Sequence, residues 1–249
     1  MIPRLITIPL SHYCEKARWA LQRARIVHEE EAHLPLFHYV HTLRVARART
    51  VPLLVHDGGI LTSSSDILRW SDAQSSNGVS PLYPSERRDQ VEALERRFDD
   101  RLGPATRLWV YAHLLDKREL AFRYAARGTP RWEQKVLERS YPMAVRALRL
   151  QLRIDEQSTL EARAEVLRVF DEVGRTLAEG KQYLAGDAFT AADLTFAALA
   201  APVVIPESYG IPLPALEELP PAMRLTVEGL REHPAGEFAL RLYADQRKI

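Results

Sequence analysis

Cysteine is almost absent from this chain: of 249 residues only Cys14 carries a thiol. An intrachain disulfide is therefore excluded, and so is a zinc site built from several cysteines. A surplus of one charge is also lacking. Thirty-four Lys and Arg face 33 Asp and Glu, a net +1. The balance is even along the chain, with 9 basic and 7 acidic side chains in residues 1–80 and 25 and 26 in residues 81–249. Nucleic-acid binding, which needs a basic surplus against phosphates, is not expected. No long apolar run is present. The stretch Phe196 to Ile205 contains Pro202 and falls far short of the roughly 20 residues that span a bilayer, so no membrane association is expected. The start, MIPRLITIPLSHYCEK, has too short an apolar run and no small-residue cleavage site for a secretion signal. A cytoplasmic protein is the expectation. Internal repeats and low-complexity tracts are missing as well.

What is present is an ordinary globular composition, 46% hydrophobic and 27% charged, in a chain long enough for one or two domains. Short strand-like and helix-like runs alternate over the first eighty residues. Arg4 to Ile8 is apolar and β-branched between Pro3 and Pro9, and reads as a buried strand. Ser11 is a candidate N-cap, and Ala17, Ala20, Leu21 and Ala24 then mark one helical face. Ile26 to Ala32 reads as a more exposed strand, and Leu36 to Thr50 as an ambiguous segment with room for a short helix. Val51 to Val55 and Ile60 to Thr62 read as strands flanking the turn signal Asp57-Gly58-Gly59. Ser63 to Ala73 begins with capping serines and becomes helical. Ser75 to Ser85 is rich in Ser, Asn, Gly and Pro and reads as a linker. After it only helical spacing appears, as in Val91, Leu94 and Phe98 or in Val166, Phe170, Val173 and Leu177. The pattern predicts a small α/β domain over residues 1–77, a linker over 78–86, and an all-helical domain over 87–249.

Four constellations stand out. Ser11-His12-Tyr13-Cys14 lies at a strand-to-helix junction, where free N–H groups and the positive end of the helix dipole favour a thiolate. There Ser11 stands at the tip and Cys14 points inward; Ser11 also reads simply as a cap and Cys14 as a small buried hydrophobe. Val51-Pro52 places a proline at the start of an interior strand; a trans bond is the commoner state, and a cis bond would present backbone groups to a peptide-like ligand. Thr62-Ser63-Ser64-Ser65-Asp66 puts hydroxyls and free N–H groups at a helix start, either an anion site or a well-capped helix. Finally, Thr190 with Asp193 forms a capping-box variant before an apolar run, a folding element without chemistry.

In order and spacing these elements resemble the cytosolic glutathione transferase family, of the serine-type or glutaredoxin-like classes. The likeness covers residues 3 to 245, and its most specific parts are Val51-Pro52 and Gly186-Asp187-Ala188-Phe189-Thr190-Ala191-Ala192-Asp193. It implies a thioredoxin-like N-terminal domain that holds glutathione as co-substrate and an all-α C-terminal domain that lines a pocket for a small hydrophobic electrophile. Ser11 falls on the catalytic serine, Pro52 on the family's cis-proline, and Ser64 on the serine that binds the γ-glutamyl carboxylate. Val51 would pair by backbone with the cysteinyl part. Tyr13, Ser63, Ser65 and Asp66 are further candidate glutathione contacts. Position 63, usually acidic in the family, is Ser63, and Asp66 is the candidate substitute. The resemblance also implies a homodimer. A non-catalytic binding protein, a glutathione-dependent reductase using Cys14, and an isomerase are the alternatives.

Weaker signals remain. Arg44, Arg47 and Arg49 read as a solvated basic face, with one of them able to reach a glycyl carboxylate. Trp109, Tyr111 and His113 lie on a helix where the hydrophobic pocket has one wall, although Trp109 suits core packing equally. The tail from Leu213 is expected to wrap the helical domain and to reach the pocket mouth. Six of eight histidines precede residue 57, with His38 and His41 three apart. No carboxylate supplies a third ligand at helical spacing, so surface histidines and no metal are expected.

Overall fold

A computed structural model describes residues 1–75 and 80–247. The N-terminal part runs β1 (Arg4–Thr7), α1 (His12–Arg23), β2 (Glu29–Ala32), α2 (His38–Ala46), β3 (Leu53–His56), β4 (Gly59–Leu61) and α3 (Ser64–Gln74). The strands lie in the order β2-β1-β3-β4, with β1 parallel to β2 and antiparallel to β3. Parallel neighbours need a crossover, and α1 provides it. Leu5 and Ile6 of β1 are fully buried, and β1 exchanges hydrogen bonds on both sides; β2, reading Glu-Glu-Glu-Ala, is an exposed edge. The β3–β4 hairpin turns at Asp57-Gly58, and Gly59 at φ +133° occupies backbone space that a side chain rarely enters. A small core of Leu5, Ala17, Leu21, Leu54 and Ile67 joins the sheet to α1 and α3. The ambiguous segment after Leu36 contains the helix α2. The sequence boundary at residues 77/78 lies outside the described residues.

The remainder is helical: α4 (Arg88–Arg97), α5 (Gly103–Leu114), α6 (Arg118–Ala125), α7 (Arg131–Leu152), α8 (Glu156–Ala178), α9 (Ala191–Val204), α10 (Pro221–Glu232) and α11 (Pro234–Gln246). A wide π-type turn, Phe98–Leu102, joins α4 to α5 without a break. A kink in α7 falls at Ser140, two residues before Pro142, which cannot complete the helical ladder. Helix α9 is apolar on every side and lies at the centre of the main core. Its start is fixed as the capping pattern predicts. The Asp193 carboxylate accepts from Thr190 N–H at 2.9 Å, Thr190 Oγ1 at 2.9 Å and Leu184 N–H at 2.8 Å.

One apolar core crosses from α1 into the helical part, where Trp19 packs on Phe189 and Tyr243. Around it lie buried charges in defined pairs. Glu15 accepts from Arg247 Nε at 2.8 Å and from the Gly210 N–H, and a Cβ on Gly210 would come within 2.5 Å of that carboxylate. The expected wrapping of the tail is seen, but its reach to the pocket mouth is not. Phe238, Ala239, Leu242 and Tyr243 bury one face of α11 in the main core, and among the described residues none after Pro202 lines the cavity described next.

Candidate functional site

Three separated turns meet at one cavity of about 540 Å³ between the sheet domain and α5–α7. Ser11 lines it from the tip of α1, Val51 and Pro52 from the approach to β3, and Ser63, Ser64 and Ser65 from the start of α3. The Val51-Pro52 bond is cis, as the resemblance implies and against the commoner trans state. The opposite wall is apolar, with Val110, Leu114, Phe122, Val145 and Leu148.

Ser11 is the N-cap of α1, and its Oγ accepts from the Cys14 N–H at 3.4 Å. Accepting leaves the hydroxyl hydrogen available for a neighbouring sulfur. Cys14 itself is fully buried one turn inside, and burial pushes its thiol up to about 11. Tyr13 lines the cavity, but its hydroxyl donates to the Asp99 carbonyl at 2.8 Å, and burial raises its pKa. That approach depends on Gly103, where a Cβ would sit 2.1 Å from the Tyr13 oxygen.

The three serines have different environments. Ser63 caps α3, accepting from Asp66 N–H at 3.1 Å and donating to Asp66 Oδ2 at 2.7 Å. Asp66 is exposed, pairs with Arg69 at 3.4 Å and does not line the cavity. Ser65 accepts from Lys16 Nζ at 2.9 Å and donates to Asp99 Oδ2 at 2.8 Å. Ser64 is 6% exposed, and its hydroxyl has no hydrogen-bond partner among the described residues. The unspent polar group at this helix start is therefore Ser64.

Two cavity residues were invisible as site residues in the sequence. Asp99, on the wide turn after α4, is the one carboxylate among the lining residues, held by Lys16 at 2.8 Å. Arg107, on α5, lines the cavity and forms no ion pair among the described residues, and its buried Nε lacks a partner. Its positive charge lowers the pKa of His12 and opposes the rise of Tyr13 and Tyr111. The available signal for Arg107 was its place as the one Lys, Arg, Asp or Glu in the stretch Ala105 to Leu115.

The weaker signals separate. Arg49 lines the cavity, and Arg44 and Arg47 are exposed outside it. Trp109 is core and Tyr111 is cavity wall. The expectation of surface histidines is corrected: His12, His33 and His38 are buried. His12 Nε2 lies 3.0 Å from the Gly103 carbonyl, across the junction of the two domains. His33 lies beside His41 and two carboxylates brought together by the fold, which sequence spacing along one helix did not reveal.

The family model described as glutathione S-transferase, N-terminal domain, matches residues 5–78, and that described as glutathione S-transferase, C-terminal domain, matches residues 137–224. Among solved structures the chain is similar to the β-etherase LigF from Sphingobium sp. strain SYK-6, at 16% identity and a TM-score of 0.63 over 97% of this chain and 99% of that one. It is similar to a glutathione S-transferase from Xanthobacter autotrophicus Py2, at 17% identity and a TM-score of 0.63 over 98% and 93%. It also resembles glutathione S-transferase I bound with lactoylglutathione, at 17% identity and a TM-score of 0.57 over 97% and 100%. A search of curated proteins finds no match. No helix of the described residues is long and apolar enough to cross a membrane. With both domain models matched in order on a four-stranded sheet domain and a following helical domain, the chain belongs to the glutathione transferase family.

Proposed function

We propose that the protein is a glutathione transferase in which Ser11 donates a hydrogen bond to the glutathione thiolate. The observation that carries this reading is the convergence of Ser11, Val51 and Ser64 on one cavity with an apolar far wall. In this reading glutathione lies extended along the sheet domain, its sulfur at Ser11 and its cysteinyl backbone along Val51. The γ-glutamyl carboxylate takes the free hydroxyl of Ser64 and the open N–H groups at the start of α3. Its amino group needs an anion. Asp99 fills that role in place of an acidic residue at 63, because it lines the cavity and Asp66 does not.

The chemistry is electrostatic. A free thiol has a pKa near 8.5, so only a few per cent is thiolate at neutral pH. A donated hydrogen bond, the positive end of the α1 dipole and the Arg107 charge all favour the thiolate. Lowering that pKa by one unit corresponds to about 1.4 kcal/mol. The thiolate then attacks an electrophilic carbon held against the apolar wall. With an aryl halide the S–C bond forms and the halide departs with its bonding pair; with an epoxide the C–O pair stays on the ring oxygen, and with an isothiocyanate the C=N π pair moves to nitrogen, each atom then taking a proton from water.

The test is conjugation of glutathione to a panel of aryl halides, epoxides and isothiocyanates by the parent and Ser11→Ala. A loss of about 10²-fold in turnover is expected; undiminished turnover removes Ser11 from the mechanism. Calorimetry with glutathione addresses the non-catalytic alternative, which gains if an intact fold shows no binding at millimolar ligand. A reductase using Cys14 is disfavoured by that residue's burial and raised pKa. A homodimer belongs to the same reading and is checked by light scattering.

A further inference from the structure

The cavity wall contributed by the helical domain carries a few polar side chains, and they divide into satisfied and free. Asp99 is held by Lys16 at 2.8 Å. Tyr141 donates to the Leu115 carbonyl at 2.8 Å, and Gln151 donates to the Tyr39 hydroxyl across the cavity. Arg107 and Tyr111 remain. They lie one turn apart on α5, and with Val110 and Leu114 they make up the face of that helix that lines the cavity. The Arg107 guanidinium has neither an ion pair nor a hydrogen-bond acceptor among the described residues, and its Nε is buried. The Tyr111 hydroxyl has no hydrogen-bond partner among them either. Burial raises the Tyr111 pKa, so this hydroxyl keeps a proton to donate.

Both groups stand at the Ser11 end of the wall. Gly103, one turn before Arg107, has its carbonyl 3.0 Å from Nε2 of His12 at the tip of α1. The Arg107 charge acts on His12 and Tyr13, the two residues that follow Ser11. Farther along, the wall is apolar, with Leu114, Phe122, Val145 and Leu148.

A guanidinium without an acidic partner is satisfied by water while the cavity is open. A neutral apolar molecule that filled the cavity would strip that water and strand several N–H donors. An anion would replace the water with charge-assisted hydrogen bonds, and the planar fork of arginine matches a carboxylate. In the glutathione pose described above, the tripeptide lies along the sheet domain, with one carboxylate at Ser64. Its other end runs toward the approach to β3, where Arg49 lines the cavity. Neither end uses Arg107.

We propose that Arg107 and Tyr111 select the electrophile, and that it is a small apolar compound bearing a carboxylate near its reacting carbon; for the reaction itself this rests on the transferase reading. Arg107 takes the carboxylate, Tyr111 donates to it, and the apolar body lies against Leu114 and Phe122. The same cation relieves the repulsion between that carboxylate and the attacking thiolate, which is strong in a cavity of low dielectric.

The experiment compares 4-chloro-3-nitrobenzoate with 4-chloro-3-nitrobenzamide at neutral pH, where the acid is ionised. The two share a ring and a leaving chloride and differ at the charged group. In each the sulfur bonds to the chlorine-bearing carbon and chloride departs with its bonding pair. The readout is the acid-to-amide ratio of kcat/KM for the parent, Arg107→Met, Arg107→Lys and Tyr111→Phe. Comparing this ratio between proteins cancels the intrinsic reactivity of each compound, and it cancels the thiolate fraction because both compounds meet the same sulfur. The ratio should fall about 30-fold or more in Arg107→Met and about tenfold in Tyr111→Phe. Arg107→Lys, which keeps the charge, should retain more of it than Arg107→Met. Equal losses for both compounds in Arg107→Met would confine Arg107 to the thiolate or the fold and overturn the proposal. Without glutathione neither compound is consumed, and calorimetry reads binding alone. The acid should bind the parent more tightly than the amide does, with the difference erased in Arg107→Met; an acid that binds no better than the amide also overturns the proposal. A parent that binds the acid through Arg107 but conjugates neither these compounds nor the neutral panel ends the transferase reading and leaves the anion site standing. Conjugation with a ratio indifferent to Arg107 does the reverse.

Discussion

His12 offers a sharp test of how the two domains are joined. It is the first residue of α1, 4% exposed, with its Nε2–H donating to the Gly103 carbonyl at the start of α5. Burial lowers its pKa most, and the Arg107 charge lowers it further. The Gly103 hydrogen bond opposes both, and the value falls to about 3. In the unfolded chain the ring titrates near 6.5. Between these values the unfolded state binds a proton that the folded state refuses, so stability rises with pH across this window and is lost on acidification. At pH 5 the loss relative to neutral pH is about 2 kcal/mol. Asp193 acts in the opposite sense. Burial raises its carboxyl to about 6, so the folded state binds the extra proton and gains stability as pH falls from about 6 toward 3.8. The two contributions partly offset each other in the parent, which is why a variant is needed to separate them. His12→Gln keeps a donor for the Gly103 carbonyl and removes the titration. Urea unfolding of parent and variant at pH 7 and pH 5 measures the difference. The variant should lose about 2 kcal/mol less than the parent over that interval. Parallel curves would show that the buried imidazole does not resist protonation, and the account of the domain junction would fail with it.

Two further perturbations follow from the same buried interface. Cys14 should react with a chromogenic disulfide no faster than the helix opens, because a thiol raised to about 11 is thiolate to only about one part in ten thousand at pH 7; labelling as fast as in urea would contradict its burial, and Cys14→Ala should keep full transferase activity. Lys16 is fully buried, with Nζ 2.8 Å from Asp99 and 2.9 Å from Glu95. Lys16→Met removes the cation shared by those carboxylates, leaving only Arg69 at 3.7 Å from Glu95, and should cost about 3–5 kcal/mol in urea unfolding, while adding Glu95→Gln should recover part of it; a loss below the error of the extrapolation would refute the pairing.

Much of the N-terminal fold is legible because its signals are local. The strand Arg4–Thr7 announces itself by β-branching between prolines, α1 and α3 by their capping serines, and the hairpin by Asp57-Gly58-Gly59. The helix α9 is legible for a related reason, since Thr190 and Asp193 lie within one turn of each other and precede a run that is apolar but for Thr195. Segments whose structure is fixed from outside read less clearly. Helix α2 begins without a side-chain cap at Phe37, and only His38 and Thr42 of its residues are buried, so its apolar stripe is faint.

The site divides along the same line. Ser11, Pro52 and Ser64 each sit at a local landmark: a strand end, a Val-Pro pair or a serine cluster. Their partners do not. Asp99 lies in a charged stretch, Asp99-Asp100-Arg101, with nothing to single it out until Lys16, 83 residues earlier, meets it in the interior. Asp66 errs in the other direction. It stands beside the serines in sequence, and that closeness lets its carboxylate fold back to accept from the Ser63 hydroxyl, outside the cavity that Ser64 lines. A helix start sends successive side chains about 100° apart around its axis, so adjacency along the chain is poor evidence of a shared ligand. Tertiary pairing chooses among the local candidates. That is why Asp99, from the turn between α4 and α5, lines the cavity and Asp66 of α3 does not.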